Sequence, residues 1–307
     1  YRLFGHTNPQ ASKGWIYDYF IENDRSTDKV KYRRIVSASN ENTYLPEHYV
    51  QSMEAQFDAD YYRINVLGED GDYTSGLVCK SWTFANVDEN IHYDESKRLY
   101  LSCDFNVDPM CWMVAHRVNN EYHFIDEFCI ENTSIVQTAE LFVEKYGRHR
   151  GGIIVTGDAS GNNRTDAGQR PQDTRYKILL RELSNLGVKD VALDTNKANP
   201  YIETRVATWN AMVCSSTGER RIKVHPRCKW LVFNCENLKY IPGTSVIWVP
   251  TPKQIENNNK LKFIEHPFAS ASYLVEKYDS IRKIQPAGIK KPRVIAVKSG
   301  ASSYAGR

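Results

Sequence analysis

Two acids stand at the ends of apolar runs. Leu99 to Asp104, LYLSCD, is a buried-looking strand ending on Asp104, and Gly152 to Asp158, GIIVTGD, is another ending on Asp158. A third group comes late, where a helix-like segment, HPFASASYLVEKY, opens on His266. A carboxylate at the C-terminal end of a buried strand is held on a rigid element and faces a crevice. One such Asp is better explained as a capping or turn residue. Two of them, on the first and fourth strands of one sheet, converge on one point. Carboxylate oxygens suit Mg²⁺ or Mn²⁺. Two such ions roughly 3.5–4 Å apart activate a water and stabilise the leaving oxygen of a phosphodiester. Asp104 and Asp158 are then shared or adjacent ligands, and Gly157 and Ser160-Gly161 leave room for a phosphate backbone. Asp126 and Glu127 lie on the third strand and alternate faces, so at most one can reach the site. A solvent-facing acid explains either as well. Asp108-Pro109 reads as a turn.

The elements that must position these groups follow from periodicity and punctuation. Tyr1 to Phe4 resembles a strand end, Trp15 to Ile21 an aromatic helix, and Lys31 to Ala38 an alternating strand. Leu45-Pro46 opens a helix running to Gln56, and Asp60 to Leu67 forms another that stops at Gly68. Glu69 to Asp94 is short, polar and turn-rich, and reads as a linker. From Lys97 the strands LYLSCDFN, CWMVAHRV and YHFIDEFCI form an antiparallel meander, with a turn at Asn119-Asn120. Helices and strands then alternate: helix 134–146 capped by Thr133 or Ser134, strand GIIVTGD, helix 172–186 closed by Gly187, strand 188–194, helix 201–214, strand 221–225, helix 228–240, a polar hairpin-like region, and the last helix. This pattern predicts a mixed α/β sheet flanked by helices. Residues 285–307 are basic and aperiodic and read as a tail.

The 307 residues allow two domains or one large one, and 25% charged with 41% hydrophobic residues is ordinary for a globular protein. The net charge is only +3, so any nucleic-acid surface depends on local clustering. None of the seven cysteines forms a CxxC pair, and Cys103, Cys111, Cys129 and Cys214 sit in apolar segments. Buried reduced thiols fit this better than zinc or disulfides. No apolar run approaches the ~18–20 residues that span a membrane, and the polar, aromatic start is no signal peptide. That start, YRLFGHTNP without Met, looks like the end of a buried strand, as in a fragment lacking its upstream part.

Taken in order, the motifs resemble the large terminase subunit of tailed bacteriophages, over most of residues 1–283. GHTNPQASKGWIYDYF resembles the late coupling segment of that family's P-loop ATPase domain, and NTYLPEHYVQSMEAQFDADYYRINVLGE the region that follows it. CDFNVDP matches the first acidic motif of its nuclease domain, VTGDASG the second, and HPFASASYLVEKY the third. The resemblance implies an RNase H-like mixed sheet flanked by helices, preceded by a partial P-loop ATPase-domain segment. Residues 1–94 are then the ATPase remnant plus linker, 95–284 the nuclease domain and 285–307 the tail. It further implies a two-metal, Mg²⁺- or Mn²⁺-dependent endonuclease cutting concatemeric double-stranded DNA in the host cytoplasm, with a portal protein and a small terminase subunit as partners and no membrane. His266 borders the metals in that pattern.

Two departures qualify the resemblance. No GxxxxGK[ST] loop or Walker B acid pair is present, so ATP belongs only to the missing upstream domain. The third acidic position, where the family pattern has Asp, holds Ala269. Asp279 lies about 15 Å further along the helix and cannot replace it. Cleavage by this chain is therefore expected to be weak or absent. DNA contact is expected through phosphates, with Arg164, Lys197 and Arg205 as candidates, and Arg170, Arg175, Arg220 and Arg221 behind them. The alternatives are a non-catalytic DNA-binding or portal-docking module and a resolvase-type nuclease of the same fold.

Overall fold

In the computed structural model of the chain, residues 37–46, 48–69, 76–106, 108–165, 170, 172–242 and 244–283 are described. The expected elements at 1–4 and 15–21, most of the strand at 31–38, and the basic tail lie outside these residues. Among the described residues the first α-helices are two short ones, α1 (Tyr49–Gln56) and α2 (Ala59–Asn65). Asp58 caps α2, its carboxylate accepting from the Asp60 and Tyr61 amides.

A six-stranded mixed sheet forms the body. Its strands are β1 (Leu99–Asp104), β2 (Met110–Val118), β3 (Glu121–Ile130), β4 (Ile153–Gly157), β5 (Val191–Leu193) and β6 (Ile222–Val224). The spatial order is β5-β4-β1-β2-β3-β6. β1, β2 and β3 are the antiparallel meander; Asn119 and Asn120 make its tight turn with φ of 50° and 66°. β4 lies parallel to β1, and β5 parallel to β4. An antiparallel meander extended by parallel strands on the β1 side is the RNase H-like arrangement.

Helices cover both faces. Leu99, Leu101, Cys103, Trp112, Ile153 and Val155 point to one side. There they pack on α3 (Ile135–Tyr146), capped by Ser134 with Gln137, and on α4 (Arg175–Asn185), capped by Thr174. Met113, Ala115, Phe124 and Val224 face the other side. That core is closed by α5 (Ile202–Val213), α6 (Lys229–Asn237) and α8 (His266–Asp279). A short helix, α7 (Pro252–Asn257), lies where a polar hairpin was expected. All seven cysteines are free. Among the described residues no helix is long and apolar enough to cross a membrane.

Part of the expected linker belongs to this body. Leu77 bridges Lys239 and Val87 bridges Val224, and Val78 and Asn86 are fully buried. The Asn86 amide donates to the carbonyls of Val213 and Ile222, both at 2.9 Å. Isolated bridges and single buried side chains hold residues 77–91 here, which gives no periodic signal.

Candidate active site

Side chains alternate along β1, so Ser102 and Asp104 face α8 while Leu101 and Cys103 face the opposite core. α8 comes unusually close because its buried stretch is small: Ala269, Ser270, Ala271 and Ser272 are all 4% exposed or less. Ser102 Oγ donates to the Ser270 carbonyl at 2.5 Å, and Ser270 Oγ donates back to the Ser102 carbonyl at 2.7 Å. This reciprocal pair fixes the register of helix on strand. It sets His266, one turn earlier, over the end of β1.

Asp104, His266 and Asp158 are thereby brought to one edge of the sheet. Asp104 Oδ2 lies 3.1 Å from His266 Nδ1. The Asn106 amide nitrogen is 2.9 Å from that oxygen and 2.8 Å from the same ring nitrogen. Burial pushes the Asp104 carboxyl above its usual range; His266 pulls it down, and the charges of Glu265 and Asp158 push it up again. Burial alone lowers His266, but its hydrogen bond to Asp104 and the charges of Asp104 and Glu265 outweigh that and raise it.

Asp158 follows β4, adjacent and parallel to β1. Its amide donates to the Cys103 carbonyl at 3.0 Å. Its carboxylate accepts from Ser160 N, Ser160 Oγ and Asn199 Nδ2, each at 2.7 Å. The nearby glycines are required by packing. Gly157 has φ +124°, and a Cβ there would lie 2.2 Å from the Cys103 carbonyl oxygen. A Cβ on Gly161 would strike the Tyr176 and Phe105 rings.

Other candidates fall elsewhere. Asp126 is turned toward α3, bonded by Tyr146 Oη at 2.8 Å and Lys145 Nζ at 2.9 Å. Glu127 shares the Asp104 face but is spent on the N-terminus of α6, accepting from the Trp230 and Leu231 amides at 2.8 and 3.0 Å. Asp279 pairs with Arg117 at the far end of α8. Asp108 pairs with Lys262 at 2.6 Å. Arg164 and Lys197 are exposed, in the loops after β4 and β5 on the site's edge, and Arg170 is exposed while Arg175 opens α4. Arg220 and Arg221 precede β6, at the opposite edge, and Arg220 Nη1 donates to Asn86. Arg205 is no surface cation: it is 3% exposed, stacked on the Tyr273 ring at 4.3 Å and paired with Glu265 at 3.2 Å.

The reading from sequence missed Asn106, Asn199, Glu265 and the true place of Arg205. Among the described residues, no three His, Cys, Asp or Glu side chains stand together as a ready-made metal cluster. Asp104 and Asp158 nonetheless end adjacent parallel strands, and carboxylate oxygens are the donor type that suits a hard cation.

The comparisons with known proteins bear on both ends of the chain. Residues 1–69 match the family model described as phage terminase large subunit. No curated protein matches. The large terminase of a thermophilic bacteriophage, in complex with ATP-γ-S, is similar in fold, with a TM-score of 0.57 and 14% identity over 88% of this chain. This chain spans 61% of that one. The P22 large terminase nuclease domain aligns with a TM-score of 0.43 and 12% identity, over 66% of this chain and 97% of that one. The SPP1 nuclease domain with bound Mn aligns at 0.34 and 18%, over 59% and 95%. At such scores the P22 and SPP1 alignments add no argument. The family match thus rests on the sequence of residues 1–69, and the likeness to the solved large terminase is one of fold.

Proposed function

We propose that the sheet and its helices form the divalent-metal-dependent endonuclease of a phage DNA-packaging terminase, cutting concatemeric double-stranded DNA in the host cytoplasm. The observation that carries this is the meeting of Asp104 and Asp158 at the ends of adjacent parallel strands, with His266 of α8 on Asp104. Asp104 and Asp158 would hold the metal, Mg²⁺ or Mn²⁺. When bound, the ions would supply Lewis-acid activation of water and charge neutralisation at the scissile phosphodiester. The chain's own residues do the positioning. Asn106 and His266 orient Asp104, and Ser160 and Asn199 orient Asp158. Arg164 and Lys197, exposed beside the site, would take DNA phosphates. A P-loop ATPase upstream, a portal protein and a small terminase subunit are the partners this reading implies.

Ala269 favours a second reading, a DNA-binding or portal-docking module without catalysis. Metal binding separates the two. Mn²⁺ is expected to raise the melting temperature of this chain, and Asp104→Asn to abolish that rise. A chain indifferent to Mn²⁺ and Mg²⁺ would leave the docking module standing.

A further inference from the structure

We infer that Glu265 supplies the third carboxylate of this site in place of the one lacking at position 269. The inference rests on the metal-site reading above. Helical side chains lean toward the N-terminus of their helix. An acid at 269 would therefore present its carboxyl over the turn at 265–266. Glu265 stands at that turn: the Ala269 amide donates to its carbonyl at 2.7 Å. Its side chain is divided between two neighbours. Oε1 lies 3.2 Å from Arg205 Nη2, while Oε2 lies 4.0 Å from His266 Nδ1, the same nitrogen that Asp104 Oδ2 approaches at 3.1 Å. One oxygen is thus anchored, and the other faces the Asp104 side.

Two costs accompany this arrangement. Glu265 has φ 79°, a conformation disfavoured for a residue with a Cβ. Arg205 is 3% exposed, and its Nε and Nη1 have no hydrogen-bond partner. Its guanidinium is held by the Tyr273 ring and by Glu265. Burying an arginine that leaves two donors unmade is unfavourable for stability alone. It is intelligible as a device that aims one carboxylate. Arg205 is then a positioning residue, and Glu265 a ligand.

The test is a calorimetric Mn²⁺ titration of the 307-residue chain and of Glu265→Gln, Glu265→Gly and Asp158→Asn, with melting temperatures recorded for each. Glycine tolerates the positive φ, so Glu265→Gly separates a ligand role from a structural one. The expected result is at least a roughly tenfold loss of Mn²⁺ affinity in both Glu265 variants, each still unfolding in one cooperative transition even where the unpaired Arg205 lowers the melting temperature, and a comparable loss in Asp158→Asn. Parent-like affinity in folded Glu265→Gly, with affinity lost in Asp158→Asn, would overturn the role of Glu265 and leave the metal site intact. Parent-like affinity in Asp158→Asn, or no binding by the parent, would overturn the metal site and this inference with it.

Discussion

At the scale of single residues, acids of one type do three different jobs, and partners decide which. Asp126 anchors α3, Glu127 caps α6, and Asp104 meets His266 and faces Asp158. Glu127 carries a measurable consequence. Burial pushes its carboxyl up to about 7, against the pull of the Trp230 and Leu231 amides, with Asp126 adding to the rise and Lys229 opposing it. Its value in the unfolded chain is the ordinary 4.5. Between these values the folded state binds the proton more tightly, so stability falls as pH rises through that window. Urea midpoints measured across it are expected to show this slope in the parent and a smaller one in Glu127→Gln. Equal slopes would mean that Glu127 titrates normally. The sequence disclosed Asp104, Asp158 and His266 because each sits at the end of an apolar run or the start of one. Asn199, Glu265 and Arg205 stayed hidden because their roles arise from contacts between distant segments, and Arg205 looks like any surface cation until α5 meets α8.

At the scale of elements, the docking of α8 on β1 places the site. The small residues from Ala269 to Ser272 admit the strand backbone, and the Ser102–Ser270 pair locks the register. Ser270→Ala is expected to cost about 1 kcal/mol for one lost hydrogen bond. Ala271→Leu, at a fully buried position, is expected to cost about 1–3 kcal/mol through overpacking. Denaturant unfolding measures both, and an unchanged midpoint in Ala271→Leu would show that the helix does not sit this close. The meander, β4 and α8 were legible because each combines a sustained pattern with clear stops. α7 was not, although Thr251-Pro252 with Gln254 is a capping box with proline in the first turn. The strand expected over 188–194 shrinks to Val191–Leu193, at the edge of the sheet, where one neighbour instead of two supports it.

At the scale of the whole molecule, the sheet separates two edges. One gathers Asp104, Asp158, Glu265 and His266, with exposed Arg164 and Lys197 beside them; Arg220 and Arg221 sit at the other. With a net charge of only +3, this local arrangement has to hold any DNA phosphate near the acids. Whether these acids cut DNA tests the account most directly. The measurement is plasmid cleavage by this chain, by Asp104→Asn and by Glu265→Gln, in Mg²⁺ and in Mn²⁺. The account predicts metal-dependent cutting by the parent that falls at least roughly tenfold in each variant. Cutting that survives Asp104→Asn, or no cutting by the parent in either metal, would contradict it.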